Sequence, residues 1–336
     1  HPKCRDGVAM SSIFQKSLIW DAHAGLFPSP EMDLSILEDW QSCSVNFLSI
    51  NVGFDVMSPD ETMATLAAYR RWLLAHSQQY LLVDKFSDIH KAQASKRLAV
   101  SFDIEGINAL GGNINMVEIY HQLGVRQMLF AYNLNNAAAG GCHDKDIQLT
   151  QFGVDILSEM NRLGMIVDAS HTSYRTSMDL IERSATPVVF THSNPASVWP
   201  HQRNITDEQI KACAAKGGVI GLNGLAIFVG DNDTSSGSLL RHLFRLIDLA
   251  GVDHVGLGFD YTPDVTVDLS AILRARPDYW PAGQQYDTPD IGHSGPGKIP
   301  DLVNGMEARG LSKLEIEGVL GANFARVAKL SWSSEV

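Results

Sequence analysis

The chain has 336 residues, 45% hydrophobic and 19% charged, with a formal net charge of -12. That composition excludes a largely disordered chain, and the acidic excess without any Lys/Arg cluster argues against a phosphate backbone, so no nucleic acid partner is expected. No apolar run reaches the roughly 18 residues that span a bilayer, which predicts no membrane anchor. Four scattered cysteines without a C-x-x-C pair predict free thiols in a reducing, cytoplasmic setting.

The chain opens on His1, and Met10 reads as a native start, so residues 1–10 are expected to be an arm outside the fold, disordered or left over from processing. Eight short apolar or β-branched runs then follow, at 18–22, 45–51, 98–104, 127–131, 165–169, 188–191, 219–222 and 254–259. Helical spacing fills gaps between them, at 59–76, 116–123, 152–163, 173–183 and 239–250. Ser58-Pro59-Asp60-Glu61 and Thr206-Asp207-Glu208 carry helix-start chemistry, and Gly124, Gly164, Gly217 and Gly251 mark helix stops.

Strands alternating with helices eight times predict a single α/β domain over 1–336, a (β/α)8 TIM-type barrel, regular or distorted. An open dinucleotide-binding sheet is disfavoured because no G-x-G-x-x-G turn follows the first run. The stretch 261–300, rich in Pro, Gly and Asp, is expected to be a long loop or lid after the eighth strand.

In such a barrel the polar residues at strand C-termini converge on one face. Here they are Asp21, His23, Glu105, Tyr132, Asn133, His171, His192 and Asp260. Three histidines and a glutamate at the ends of four runs are the makings of a metal site, with Zn(II) the first choice and Mn(II), Fe(II) or Co(II) served by the same ligands. A serine-nucleophile reading fails for want of a G-x-S-x-G elbow. His143 and the histidines at 76, 90, 121, 201, 242 and 293 lack a strand-end setting and are read as ordinary.

The motifs Asp21-Ala22-His23, Asp103-Ile104-Glu105-Gly106, Asp168-Ala169-Ser170-His171, Pro187-Val188-Val189-Phe190-Thr191-His192-Ser193, Arg203-Asn204-Ile205-Thr206-Asp207, His254-Val255-Gly256-Leu257-Gly258-Phe259-Asp260 and Gly321-Ala322-Asn323-Phe324-Ala325-Arg326-Val327 occur in that order. Together they make the chain resemble the renal (membrane) dipeptidases, peptidase family M19, an amidohydrolase-like branch of metal-dependent barrels. The resemblance implies a binuclear zinc site in which Glu105 bridges, His171 and His192 complete one shell, and His23 binds the other ion.

Two departures stand out. The family's first motif reads H-x-D, whereas this chain has Gly25 at the aspartate position, which implies one firmly bound ion and a second that is weak or absent. Tyr132 falls where animal members carry a histidine that contacts the tetrahedral intermediate, and a phenol there can still donate to an oxyanion. Asp260 matches the catalytic aspartate that relays a proton, and Arg203 resembles the residue that holds the substrate's terminal carboxylate. Asn133 is expected beside Tyr132 in substrate binding, and Asp21 behind His23 as an orienting partner.

The expectation is therefore a metallo-dipeptidase that cleaves dipeptides, or a related small amide with a free carboxylate, and often forms homodimers. A second reading, prompted by Gly25 and Tyr132, is a non-hydrolytic descendant serving as a small-molecule or metal-binding module.

Overall fold

The computed structural model describes residues 17–263 and 269–332. Eight parallel strands appear in chain order: β1 Trp20–Ala24, β2 Phe47–Phe54, β3 Tyr80–Leu82, β4 Leu98–Glu105, β5 Val125–Leu129, β6 Ile166–Asp168, β7 Ile220–Leu222 and β8 Val255–Leu257. Their order in the sheet is β6-β5-β4-β2-β1-β8-β7, with β3 added beside the first half of β4. β1, β2 and β4 are buried along their whole length, as parallel strands covered on both faces must be.

The sheet's two ends, β6 and β7, face each other across the run at 188–191. That run was expected to be a regular strand. It pairs instead through two isolated parallel bridges, Asp168↔Val189 and Phe190↔Ile220. Its close approach explains two glycines: a Cβ on Gly221 or Gly258 would lie 1.9 or 1.7 Å from the Thr191 carbonyl oxygen. The architecture is α/β, consistent with a distorted TIM-type barrel.

The helices follow local signals. Ser58 caps Pro59–Ala75 in a capping box with Glu61, and Thr206 does the same with Gln209 for Asp207–Ala215. The helices Gln151–Leu163, Tyr174–Arg183 and Ser236–Ala250 form within a few residues of the expected bounds. β3 and the helix Ser87–Ala94 were not anticipated.

At the N-terminal end of the strands, Trp20 stacks on Phe47 with ring centroids 3.6 Å apart, in a cluster with Ile166, Val189, Val219 and Phe324. At the opposite end a separate cluster of Phe54, Ile227, Phe228, Tyr279, Trp280 and Tyr286 stands over the strand C-termini. The stretch expected as a loop or lid supplies three of those aromatics. It is not a plain loop, since it holds the helix Leu269–Ala275 and a short turn of helix at Pro296–Lys298, and 264–268 lie outside the described residues.

The cysteine expectation needs one correction. Cys43 is disulfide-bonded, while Cys142 and Cys213 are free thiols. Cys4 and the 1–10 arm lie outside the described residues. Among the described residues no helix is long and apolar enough to cross a membrane.

Candidate metal centre

Alternation along the strands builds the site from the inside outward. On β2, Ser49 and Asn51 point the same way, and on β4 so do Asp103 and Glu105, as residues two apart must. Ser49 Oγ donates to Asp103 Oδ2 at 2.5 Å, and Asn51 Nδ2 donates to Glu105 Oε1 at 3.1 Å. Glu105 therefore presents its other oxygen, Oε2, to the histidines.

Three imidazoles surround that oxygen. His171 Nε2 lies 3.2 Å away, His192 Nε2 3.6 Å and His23 Nε2 3.7 Å. His171 and Asp260 each follow a strand end with a left-handed backbone, φ 64° and 53°, which turns the side chain back over the barrel mouth. Such φ values are uncommon outside glycine and cluster at functional sites. Asn133, φ 60°, shares the conformation.

The hydrogen-bond partners set the tautomers. His171 Nδ1 is 2.7 Å from the Asn133 amide oxygen, so Nδ1 carries the hydrogen. Thr191 Oγ1 gives its proton to Asp168 Oδ2 and accepts from His192 Nδ1 at 2.8 Å. Both Nε2 atoms are then lone-pair bearers, and they sit 3.1 Å apart facing a carboxylate. Two imidazole lone pairs and a carboxyl oxygen converging at these spacings form the donor set that a divalent cation takes. Two ligand atoms about 2.1 Å from a tetrahedral ion stand about 3.4 Å apart, the spacing seen here.

His23 differs. Its Nδ1 faces Asp103 Oδ2 at 3.2 Å, and its Nε2 is buried without a hydrogen-bond partner. Nε2 also lies 3.6 Å from Asp260 Oδ1. Among the described residues two groups have ligand atoms close enough to share an ion: Glu105, His171 and His192, and His23, His192 and Asp260. The donor chemistry of both fits a divalent cation such as zinc.

Burial pushes the Glu105 carboxyl up to about 8, against the pull of His23. Burial also holds His171 and His192 well below the ordinary histidine range, aided by Arg203 and His23, so both imidazoles are neutral. On His23 burial opposes charge, but Asp103 and Glu105 beside it outweigh that and carry the imidazole up to about 10. Without an ion, a proton on His23 is the positive charge this cluster of carboxylates gathers.

The remaining sequence-predicted residues divide. Tyr132 lines the pocket, its ring 4.4 Å from that of His171, and its hydroxyl accepts from Trp280 Nε1 at 3.2 Å. Burial raises its pKa well above the ordinary phenol value, so it stays a donor. Asn133 is turned away: its Oδ1 faces His171 and its Nδ2 donates to the Tyr279 carbonyl. Arg203 is buried, donating to Ser193 Oγ at 3.0 Å and the His192 carbonyl at 2.8 Å, while its Nε has no partner.

Asp21 does not orient the His23 ring. It accepts from Trp40 Nε1 and the Phe259 amide, tying β1 to the end of β8, while Asp103 takes the orienting role. Asp103, Asn51, Thr191, Asp168 and Asn223 were not read as site residues. His143 joins Gln202 and Tyr286, away from the ligand set.

A pocket opens beside the ligands, lined by Glu105, Tyr132, His171 and Asp260 on one side and by Leu26, Phe27, Phe54, Leu225, Ile227, Phe228, Trp280 and Ile291 on the other. A few convergent polar groups in an apolar cleft are the usual form of a small-molecule site.

Comparison with known proteins bears on the fold and the family. The chain is 28% identical over 281 residues to an uncharacterized dipeptidase of Schizosaccharomyces pombe, covering 80% of this chain and 62% of that protein. It is 27% identical over 274 residues to dipeptidase tcpJ of Claviceps purpurea, covering 80% and 59%. The chain thus spans about three fifths of the length of these two relatives. Among solved structures, an amidohydrolase from Pseudomonas aeruginosa superposes with TM-score 0.87 at 24% identity, over 97% of this chain and all of that one. A metallo peptidase from Rhodobacter sphaeroides, liganded with a phosphinate mimic of the dipeptide L-Ala-D-Ala, superposes with TM-score 0.75 at 19% identity, over 94% and 100%; both likenesses concern the fold. The profile of the membrane dipeptidase family matches residues 16–276, and the chain belongs to that family, peptidase family M19.

Proposed function

We propose that the protein is a metal-dependent dipeptidase, built on a (β/α)8 barrel, that hydrolyses the peptide bond of a dipeptide or a related small amide with a free carboxylate. The observation that carries this is the pair of deprotonated Nε2 atoms, His171 and His192, converging with Glu105 Oε2 beside an apolar cleft that Glu105 and His171 line. Glu105, His171 and His192 would hold a divalent ion, zinc first, which supplies Lewis acidity and brings the pKa of a water toward neutrality.

The chain's own residues do the rest. Asp260, with its side chain 15% exposed at the pocket, takes the proton of the attacking water and returns it to the leaving amine. Because Trp280 donates to the Tyr132 oxygen, the phenolic hydrogen is free to point at the carbonyl oxygen as it gains charge. The unpaired Nε of buried Arg203 supports a carboxylate-binding role. The dipeptide mimic held by the Rhodobacter sphaeroides neighbour supports a D-residue on the leaving side.

The test is amino-acid release from a panel of L,L and L,D dipeptides, with and without a chelator. Chelator-sensitive turnover is expected. Stoichiometric metal without turnover on any member would leave the metal-binding module instead.

A further inference from the structure

We propose that Asp260 is a ligand of a second cation position beside His23, and that Gly25 is the residue that admits it. The inference rests on the reading of Glu105, His171 and His192 as the first position. His192 Nε2 belongs to both candidate groups but can serve one ion, so the second position falls to His23 Nε2 and Asp260 Oδ1. The spacings of His23 Nε2, 3.6 Å from Asp260 Oδ1 and 3.7 Å from Glu105 Oε2, are near the ligand separation of about 3.4 Å on a tetrahedral ion. His23 Nε2 is also fully buried and has no other partner.

Gly25 and Asp260 compete for one space. A Cβ at position 25 would lie 2.4 Å from Asp260 Oδ1 and 2.7 Å from the Asp260 carbonyl oxygen. The Asp260 backbone, left-handed at φ 53°, is fixed by its amide to the His23 carbonyl at 3.1 Å, and Gly25 N bonds the next carbonyl, Tyr261, at 3.1 Å. Oδ2 accepts from Asn223 Nδ2 at 3.1 Å, which aims Oδ1 at His23 and leaves the second lone pair of Oδ2 for the proton transfer. A carboxylate brought in at position 25 would push this one out. The glycine has exchanged one anionic ligand for another.

The test is a Co(II) titration of chelator-stripped protein, followed by visible absorption and by metal content per chain. Wild type should take up two equivalents, the second more weakly. Asp260→Asn, which keeps a residue tolerant of the left-handed backbone, should retain the first and weaken the second by about tenfold or more. Gly25→Ala, which alters no ligand, should do the same by displacing Asp260, with thermal melting confirming that each variant is folded. A single equivalent in wild type, or an unchanged second step in Asp260→Asn, overturns the proposal. His171→Ala should abolish the first step, and if it does not, the failure lies with the Glu105 position instead.

Discussion

The two halves of the centre use the same ligand types under opposite electrostatics. On the side of β6 and β7, His171 and His192 lean on neutral acceptors, an amide and a hydroxyl, and burial keeps both imidazoles uncharged. On the side of β1 and β8, His23 leans on a carboxylate, Asp103, and faces two more, Glu105 and Asp260. What backs a histidine thus decides what it offers. A neutral support leaves an ordinary imidazole ligand, whereas a carboxylate makes the ring more basic and lets it wait as a cation when no ion is bound.

The largest effect should come from breaking the neutral half. His171→Ala removes a ligand from the first position, and kcat/KM should fall on the order of 10³ or more, the upper end of what one preorganised electrostatic group contributes. Loss of the first metal equivalent should accompany it. Next, Tyr132→Phe removes the proposed oxyanion donor, and kcat should drop on the order of 10² with KM little changed.

The two supports can then be compared directly. Asp103→Asn replaces the carboxylate behind His23 by a neutral group of equal size, and should weaken the second ion about tenfold while sparing the first. Equal weakening of both would show that the halves do not act separately.

The smallest effect concerns a buried carboxyl outside both halves. Asp55 accepts from Asn108, Tyr132 and Asn136 where the ends of β2 and β5 meet, and burial pushes its pKa from 3.8 up to about 6. The folded state holds this proton longer than the unfolded chain does, so the contribution is greatest below about pH 4 and is lost as pH rises toward 6. Between about pH 5 and about pH 6 this carboxyl alone should lower stability by about 1 kcal/mol, read from denaturant midpoints. Because Asp21 is raised to about 6 as well, the fall should not vanish in Asp55→Asn but be smaller than in wild type by about 1 kcal/mol, with or without added metal.

Much of this was legible in the chain. The eight apolar runs all reappear around the sheet, and the polar residues that close them supply both groups whose atoms lie close enough to share an ion. Asp103 was missed although it stands two residues before Glu105, because β4 is buried on both faces and its hydropathy does not say which side chains point inward. Asn223 and Thr191 act by hydrogen bonds that join segments 30 or more residues apart in some cases, such as Asn223 to Asp260, and no local pattern encodes those. Asp21 misled for a related reason: its nearness in sequence to His23 concealed a carboxylate that faces Trp40 and β8.

Gly25 was legible only as a loss. Its meaning depends on the Asp260 backbone 235 positions away, which lies where a side chain at 25 would begin. A substitution that restores an aspartate at 25 would therefore collide with Asp260 rather than repair the site.

The central claim is that Glu105, His171 and His192 hold a divalent ion, and anomalous diffraction at the zinc edge from crystals grown with zinc tests it most directly. The account predicts the strongest peak within bonding distance of Glu105 Oε2, His171 Nε2 and His192 Nε2. A strongest peak elsewhere, or none at that point, would contradict it.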